Sequence, residues 1–207
     1  MGSRNTARHA DYTWNDYRSW SDGQRWQVIG GDAYVMTPAP ATRHQDVLVA
    51  LAAQMQNHFG GHPCRVYVAP TDLKLSETDI VQPDLMVVCE SEKIKSSHIE
   101  GPPTLVVEIL SPATALLDRT RKMRLYAAAG VCEVWLITPY PWLVEVFVLD
   151  GATYRLSGSF TKGDKMASPA FPTLRIDLDR MFDFPLESGE ETMMVRESHP
   201  PYGKNPS

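Results

Sequence analysis

A single carboxylate inside an otherwise apolar strand is the feature that most constrains this chain. Glu108 interrupts the run Leu105-Val106-Val107 and Ile109-Leu110. A strand that is apolar on both faces is predicted to lie inside a sheet that is covered on both sides. A carboxylate there is costly to bury unless it is paired or bound to a metal. Two interpretations follow, a salt bridge to a covering helix or a metal ligand.

Asp84 adds a second carboxylate at the mouth of another apolar strand. It follows Pro83 and precedes Leu85-Met86-Val87-Val88. Proline suits the start of a strand because it lacks an N–H donor. A lone Pro-Asp pair is typical of a turn, whereas two carboxylates at the ends of neighbouring buried strands can bind a hard cation through oxygen. Asp84 and Glu108 are therefore candidate metal ligands.

Lys122 is the third candidate and lies on the helix predicted after the Glu108 strand. Asp118 stands four residues earlier, so the two side chains share a helix face. One interpretation is a surface ion pair, which contributes less than about 1 kcal/mol to stability. The other is a catalytic lysine beside the two carboxylates.

Periodicity predicts an α/β (α+β) fold with a mixed central β-sheet flanked by helices. Gly30-Gly31 marks a hairpin, and Thr42 with Gln45 forms a capping-box pattern at the start of a helix that ends at Gly60-Gly61. A second helix, 118–129, ends at Gly130. Further strands are predicted at 65–69, 73–75, 83–89, 105–110, 132–137, 144–149 and 153–156.

Composition predicts one domain at 21–185, between an N-terminal lead at 1–20 and a flexible acidic tail at 186–207. No apolar run approaches the roughly 20 residues of a membrane span, and the N-terminus has no secretion signal. Cys64, Cys89 and Cys132 form no CxxC pair, which argues against a zinc ribbon or a disulfide framework. Cys89 and Cys132 are predicted to be buried thiols in a reducing, cytoplasmic compartment.

The net charge of −5 does not favour nucleic-acid binding, because phosphate contacts need Lys and Arg. A nuclease would therefore need a local basic patch. The segment 119–124 supplies four cations, at Arg119, Arg121, Lys122 and Arg124. They are interpreted either as a solvated helix face or as that patch.

The chain resembles a known protein family in the order of several short motifs along its core. The motifs are 34–40 (YVMTPAP) with 43–45 (RHQ), 68–72 (VAPTD), 81–84 (VQPD), 101–103 (GPP), 106–112 (VVEILSP), Asp118 with Lys122 and Tyr126, and 130–137 (GVCEVWLI). In this order they resemble the Uma2 family of endonucleases, in the PD-(D/E)XK superfamily, from about Tyr12 to about Tyr154. The resemblance implies a restriction-endonuclease-like fold.

The resemblance also implies roles by position. Asp84 and Glu108, with the backbone carbonyl of Ile109, would hold Mg²⁺ or Mn²⁺. Lys122 would be the superfamily lysine moved onto the helix, because Leu110 stands where an E-x-K pattern places it. His44, in the first turn of its helix, would be a further site residue, or alternatively a cap or a surface group.

The implied activity is metal-dependent hydrolysis of DNA phosphodiester bonds by a homodimer. Trp142 and Leu143–Leu149 are interpreted either as its contact surface or as part of the core. One departure from the family is Gln27, since relatives often carry Glu within that early strand. Gln27 and the acidic charge favour the rival interpretation, a catalytically silent nucleic-acid- or protein-binding module that keeps the fold. Hydrolysis of a substrate other than DNA is a third possibility, because a fold alone does not determine chemistry.

Overall fold

The computed structural model describes residues 8–36 and 41–186, and they form an α+β fold with two six-stranded sheets flanked by helices. The fold class agrees with the sequence-based prediction, but the strands do not form a single central sheet. Strands of only two residues build a second sheet together with the N-terminal hairpin: Ile80–Val81 pairs with the hairpin, and Leu73–Lys74 pairs with Ile80–Val81. Such short segments carry too little periodicity to reveal their partner.

The larger sheet has the strand order β12-β11-β10-β9-β7-β4. Its strands are β4 (Arg65–Val68), β7 (Leu85–Val88), β9 (Leu105–Ile109), β10 (Glu133–Thr138), β11 (Leu143–Asp150) and β12 (Thr153–Phe160). β9 and β10 are parallel, and the other neighbours are antiparallel. All five residues of β9 are buried, as its apolar sequence predicts.

The smaller sheet has the order β1-β3-β2-β6-β5-β8 and lies beside the start of the chain. Its strands are β1 (Arg8–His9), β2 (Trp26–Ile29), β3 (Asp32–Val35), β5 (Leu73–Lys74), β6 (Ile80–Val81) and β8 (Ile99–Glu100). Gly30 and Gly31 both have positive φ at the turn between β2 and β3, which confirms the predicted hairpin.

Five α-helical segments accompany the sheets in the described part of the chain. They are α1 (Trp14–Ser19), α2 (Thr42–Phe59), α3 (Ala115–Leu117), α4 (Met123–Ala129) and α5 (Leu178–Met181), with a π-helical turn (Asp118–Lys122) between α3 and α4. Gly130 ends α4 in the left-handed conformation, as predicted. The predicted capping box at Thr42 is wrong, since Ala41 is the N-cap and makes no side-chain cap. None of the described helices is long and apolar enough to cross a membrane.

The two helical layers cover opposite faces of the larger sheet. Leu105, Val107 and Ile109 pack with α2 in one core cluster. Val106 and Leu110 pack with Tyr126 of α4 in the other. Successive strand side chains alternate between faces, so Glu108 belongs to the α4 face. This places its carboxylate under the helix that carries Lys122.

The cysteine prediction is wrong on two counts. The structure joins Cys64 and Cys89 in a disulfide, and Cys132 is exposed rather than buried. The reason is the antiparallel register of β4 and β7, in which Arg65 pairs with Val88. The residue before β4 and the residue after β7 therefore come together, although they are 25 residues apart in sequence.

The predicted domain boundaries stay a prediction. Residues 8–20 contribute β1 and α1, and the ring of Trp14 stacks on that of Tyr17 at 5.7 Å between centroids. The predicted flexible tail lies, apart from Leu186, outside the described residues.

Candidate active site

A cavity of about 630 Å³ opens where β7 and β9 meet α2 and the π-helical turn. Leu85 pairs with Val107, so Asp84, one residue before β7, and Glu108, on β9, lie at the same level of the antiparallel pair. Both residues line the cavity, as do His44, Ile109 and Lys122 (the other predicted site residues). The structure thus brings all five predicted site residues to one place.

Asp84 is held from two directions. The backbone N–H of Ile109 donates a hydrogen bond to Asp84 Oδ2 at 2.7 Å. His44 Nε2, from the first turn of α2, lies 3.2 Å from Asp84 Oδ1. His44 Nδ1 is buried and has no hydrogen-bond partner within the described residues. The contact through Nε2 places His44 against Asp84, and no side chain caps the start of α2.

Two side chains of the covering helical segment donate hydrogen bonds to Glu108. Lys122 Nζ donates to both carboxylate oxygens at 3.0 Å. The hydroxyl of Tyr126 donates to Glu108 Oε1. The side chains of Lys122 and Glu108 are 5% and 3% exposed. This is a buried ion pair supported by a further hydrogen bond, the arrangement that best offsets the cost of removing charge from water.

Asp118 is the third carboxylate of the group. Its Oδ1 lies 3.0 Å from Lys122 Nζ, an ion-pair contact without good hydrogen-bond geometry, and its side chain is buried. Asp118 and Lys122 are the first and last residues of the π-helical turn. Asp118, Lys122 and Tyr126 are each four residues apart and all buried, so they share the helix face that is turned towards the sheet.

Two pKa shifts describe the electrostatics of the group. Burial raises the pKa of the Glu108 carboxyl to about 8, with Asp118 and Asp84 adding to the rise and Lys122 opposing it. Burial lowers the pKa of the Lys122 ammonium, but the carboxylates of Glu108, Asp118 and Asp84 outweigh it and hold that pKa above its usual value. The two shifts are compatible because the carboxylates outnumber the ammonium at this place.

The donor set fits a hard divalent cation. The carboxylate residues Asp84 and Glu108 line the shared cavity, and Ile109 lines it too. Oxygen ligands of this kind are preferred by Mg²⁺ and Mn²⁺. Across 8–36 and 41–186 no cluster of three or more His, Cys, Asp or Glu is arranged to hold a metal. A cation here would therefore keep several waters or substrate oxygens, as Mg²⁺ usually does.

The interpretation of Lys122 as a surface ion pair is wrong, because Lys122 and Asp118 are both buried. Of the four cations interpreted as a solvated helix face or a basic patch, Lys122 is buried, whereas Arg119, Arg121 and Arg124 are exposed. Arg119 pairs with Glu145 of β11, and the Arg121 guanidinium contacts Tyr34. The cations of this segment therefore point to different partners.

Sequence reasoning missed several residues of the site. Tyr126 entered only as part of the resemblance, although its spacing of four residues from Lys122 places it on the same helix face. Arg25 and Gln82 line the cavity as well; no local pattern indicated Arg25, and Gln82 entered only within the motif 81–84. Gln27 is buried on β2, and its Oε1 has no hydrogen-bond partner in the described part of the chain.

This chain is similar to known proteins in both sequence and fold. The family model described as "Uma2: Putative restriction endonuclease" matches residues 14–179. The chain belongs to the Uma2 family. A solved structure described as a "putative nuclease belonging to DUF820", from Anabaena variabilis ATCC 29413, matches with a TM-score of 0.68 and 17% identity, covering 82% of this chain and 97% of that one. That likeness supports the nuclease-like fold.

A curated relative of this Uma2 protein is "Uncharacterized protein slr1290" from Synechocystis sp. (strain ATCC 27184 / PCC 6803 / Kazusa). It is 30% identical over 125 residues, which is 59% of this chain and 65% of the relative. The Uma2 chain thus spans less than two thirds of that relative's length. The name of the relative states no activity, and the family description names a nuclease.

Proposed function

We propose that this Uma2 protein is a Mg²⁺- or Mn²⁺-dependent endonuclease that hydrolyses phosphodiester bonds of DNA. The observation that carries the proposal is the convergence of Asp84, Glu108 and Lys122 on one cavity. Two carboxylates can hold a cation for metal-assisted phosphodiester hydrolysis, and an ammonium beside them can stabilise negative charge on the phosphate. The family and the fold agree with a nuclease.

Asp84, Glu108 and the Ile109 carbonyl would hold the cation. A bound divalent cation lowers the pKa of a water and offsets charge on the phosphate. His44 and the Ile109 N–H keep the Asp84 carboxylate in one orientation. Tyr126 does the same for Glu108 through its hydroxyl.

Lys122 is the residue that changes partners in this mechanism. Its ammonium donates to both oxygens of Glu108, which a cation would also engage. With part of that contact released, the ammonium would position the attacking water and stabilise the charge that develops on the phosphate. Asp118 keeps the ammonium in place meanwhile, at 3.0 Å from Nζ.

A catalytically silent nucleic-acid-binding module is the second candidate. Gln27, a neutral amide buried on β2, favours it, as does the occupation of both Glu108 oxygens by Lys122. A silent module has no need of Mg²⁺, so metal binding separates the two candidates.

The test is incubation of the full chain with supercoiled plasmid, linear duplex and single-stranded DNA, in Mg²⁺, Mn²⁺ or EDTA. Cleavage with either cation and none in EDTA is expected, and Asp84→Asn or Glu108→Gln should abolish it. Glu92→Gln, an exposed carboxylate away from the cavity, is the matched control. Binding of DNA without Mg²⁺ binding in calorimetry, and without cleavage, would establish the silent module instead.

A further inference from the structure

Arg25 lines the cavity, and two nitrogens on one edge of its guanidinium are hydrogen-bonded to Gln82. It precedes β2 and is exposed, yet it lines the same cavity as Asp84 and Glu108. Its Nε and Nη2 donate to the side-chain oxygen of Gln82 at 3.0 and 2.6 Å. A side chain as long as Arg loses considerable rotamer freedom in such a contact, so its orientation is specific.

Asp72 and Tyr17 fix the orientation of the Gln82 amide. Its Nε2 donates to Asp72 Oδ1 at 2.8 Å and to the Tyr17 hydroxyl oxygen at 3.2 Å. Tyr17 donates its own proton to Asp72 Oδ1 at 2.6 Å. An ionised carboxylate only accepts hydrogen bonds, so the NH₂ group of Gln82 must face Asp72. The carbonyl oxygen of Gln82 therefore faces Arg25.

This chain of hydrogen bonds, the Tyr17–Asp72–Gln82–Arg25 relay, holds the Arg25 side chain without neutralising its charge. The partner of the guanidinium is a neutral amide, and Nη1 makes no hydrogen bond to the rest of the described residues. Its planar group with several N–H donors suits a phosphate oxygen pair. Gln82 stands two residues before Asp84, so the relay also ties the position of Arg25 to the metal-binding strand.

Other arginines that line the cavity are engaged differently. Arg119 is paired with the carboxylate of Glu145. Arg43 stacks over the rings of Tyr140 and Phe184, at 5.9 and 5.6 Å from their centroids. Arg25 thus combines a fixed orientation with a guanidinium that makes no ion pair with a carboxylate of the described residues.

We propose that Arg25 binds a backbone phosphate of the DNA next to the scissile bond, and that Gln82, held by Asp72 and Tyr17, is its positioning residue. The proposal rests on the proposed function, since it takes DNA as the substrate. It adds a substrate-binding residue to the site and gives the aromatic N-terminal helix α1 a part in it through Tyr17.

The experiment measures binding apart from cleavage. A fluorescent duplex oligonucleotide is titrated with the full chain carrying Glu108→Gln, by anisotropy, over a range of salt concentrations. Arg25→Ala should raise Kd about ten-fold, the loss of a charge-assisted hydrogen bond. It should lower the slope of log Kd against log salt by about one, equally for different sequences. Gln82→Met should raise Kd less and keep most of the slope, because the charge remains.

Arg155→Ala is the matched control, since this exposed arginine on β12 pairs only loosely with Asp150, at 3.6 Å. In the cleavage-competent chain, Arg25→Ala should raise KM and leave kcat nearly unchanged, and Arg25→Lys should recover part of the loss. An Arg25→Ala protein that binds DNA like Arg155→Ala would overturn this inference and leave the endonuclease standing. If the unmodified chain neither binds nor cleaves DNA, both the proposed endonuclease function and the role of Arg25 would be overturned.

Discussion

The ammonium of Lys122 lies 3.0 Å from each carboxylate oxygen of Glu108, and the two side chains are 5% and 3% exposed. Removing one partner of such a buried pair leaves an uncompensated charge in the protein interior. The pair therefore links the stability of the fold to the proposed chemistry.

At pH 9, above the Glu108 pKa of about 8, Lys122→Met is expected to lower the free energy of unfolding by about 3–5 kcal/mol, because the ionised Glu108 and Asp118 lose their shared cation. A surface pair of Lys122 with Asp118 would contribute less than about 1 kcal/mol, but both side chains are buried. Urea unfolding in EDTA measures the effect, and Glu108→Gln in the same chain should restore part of the loss. Lys95→Met, at an exposed lysine, should change stability by less than about 1 kcal/mol.

Lys122→Met is also expected to lower kcat for plasmid cleavage by about 10²–10³, the loss of one group that stabilises transition-state charge. The assay is run at a temperature where circular dichroism shows the variant folded. Calorimetry should find Mg²⁺ still bound, since the carboxylates remain. Full activity in Lys122→Met, beside an inactive Glu108→Gln, would remove the lysine from the mechanism and leave the metal centre.

The raised pKa of Glu108 predicts a pH dependence of stability without metal. The folded-state pKa of about 8 exceeds the ordinary value of 4.5, so the folded protein binds this proton more tightly. The contribution is complete below pH 4.5 and is lost as pH rises through about 8. Lys122 stays charged throughout, because its pKa is raised.

Urea unfolding in EDTA between pH 5 and 9 checks this dependence. The stability of the parent chain relative to Glu108→Gln should fall as the pH increases. Saturating Mg²⁺ should weaken the trend, since a cation stabilises the ionised carboxylate. An identical pH profile for the two proteins would contradict the prediction.

Glu133 is expected to matter for stability and not for cleavage chemistry. Fully buried on β10, it accepts hydrogen bonds from Trp135 Nε1, Ser168 Oγ and the Ala170 N–H, at 2.6–2.7 Å. Glu133→Ala should cost about 3–5 kcal/mol, because several buried donors lose their acceptor. Chemical unfolding followed by tryptophan fluorescence measures it, with Glu92→Ala as the exposed control. A loss below 1 kcal/mol would show that water replaces the carboxylate.

A homodimer is predicted, since cutting both strands of a duplex is simplest with two sites related by a two-fold axis. Of the proposed contact segment, Val144 and Val146 are core residues, and Trp142 is partly buried. These two residues follow the alternative in which the segment belongs to the core, and only its other side chains are left for contact with a partner copy. Light scattering at micromolar concentration should give twice the chain mass of 23.2 kDa, and a monomer there would refute the prediction.

Local patterns determined the parts of this protein that depend on near neighbours in the chain. The apolar run around Glu108 predicted a strand buried on both faces, and β9 is buried at every position. Gly30-Gly31 and Gly130 predicted a hairpin and a helix end, and both have the left-handed conformation that glycine permits. The resemblance to the Uma2 family rested on motif order, which is also a property of the sequence.

Tertiary packing decided what distant segments do to one another. Whether Lys122 faced solvent or the sheet depended on how the π-helical turn lies over β9, and only the fold placed it on Glu108. The contact of His44 with Asp84, the pairing of Cys64 with Cys89 and the Tyr17–Asp72–Gln82–Arg25 relay each join residues from separate elements. Helical spacing specifies which residues share a face, but the burial of a face is set by the free energy of packing it against a partner that the local sequence does not name.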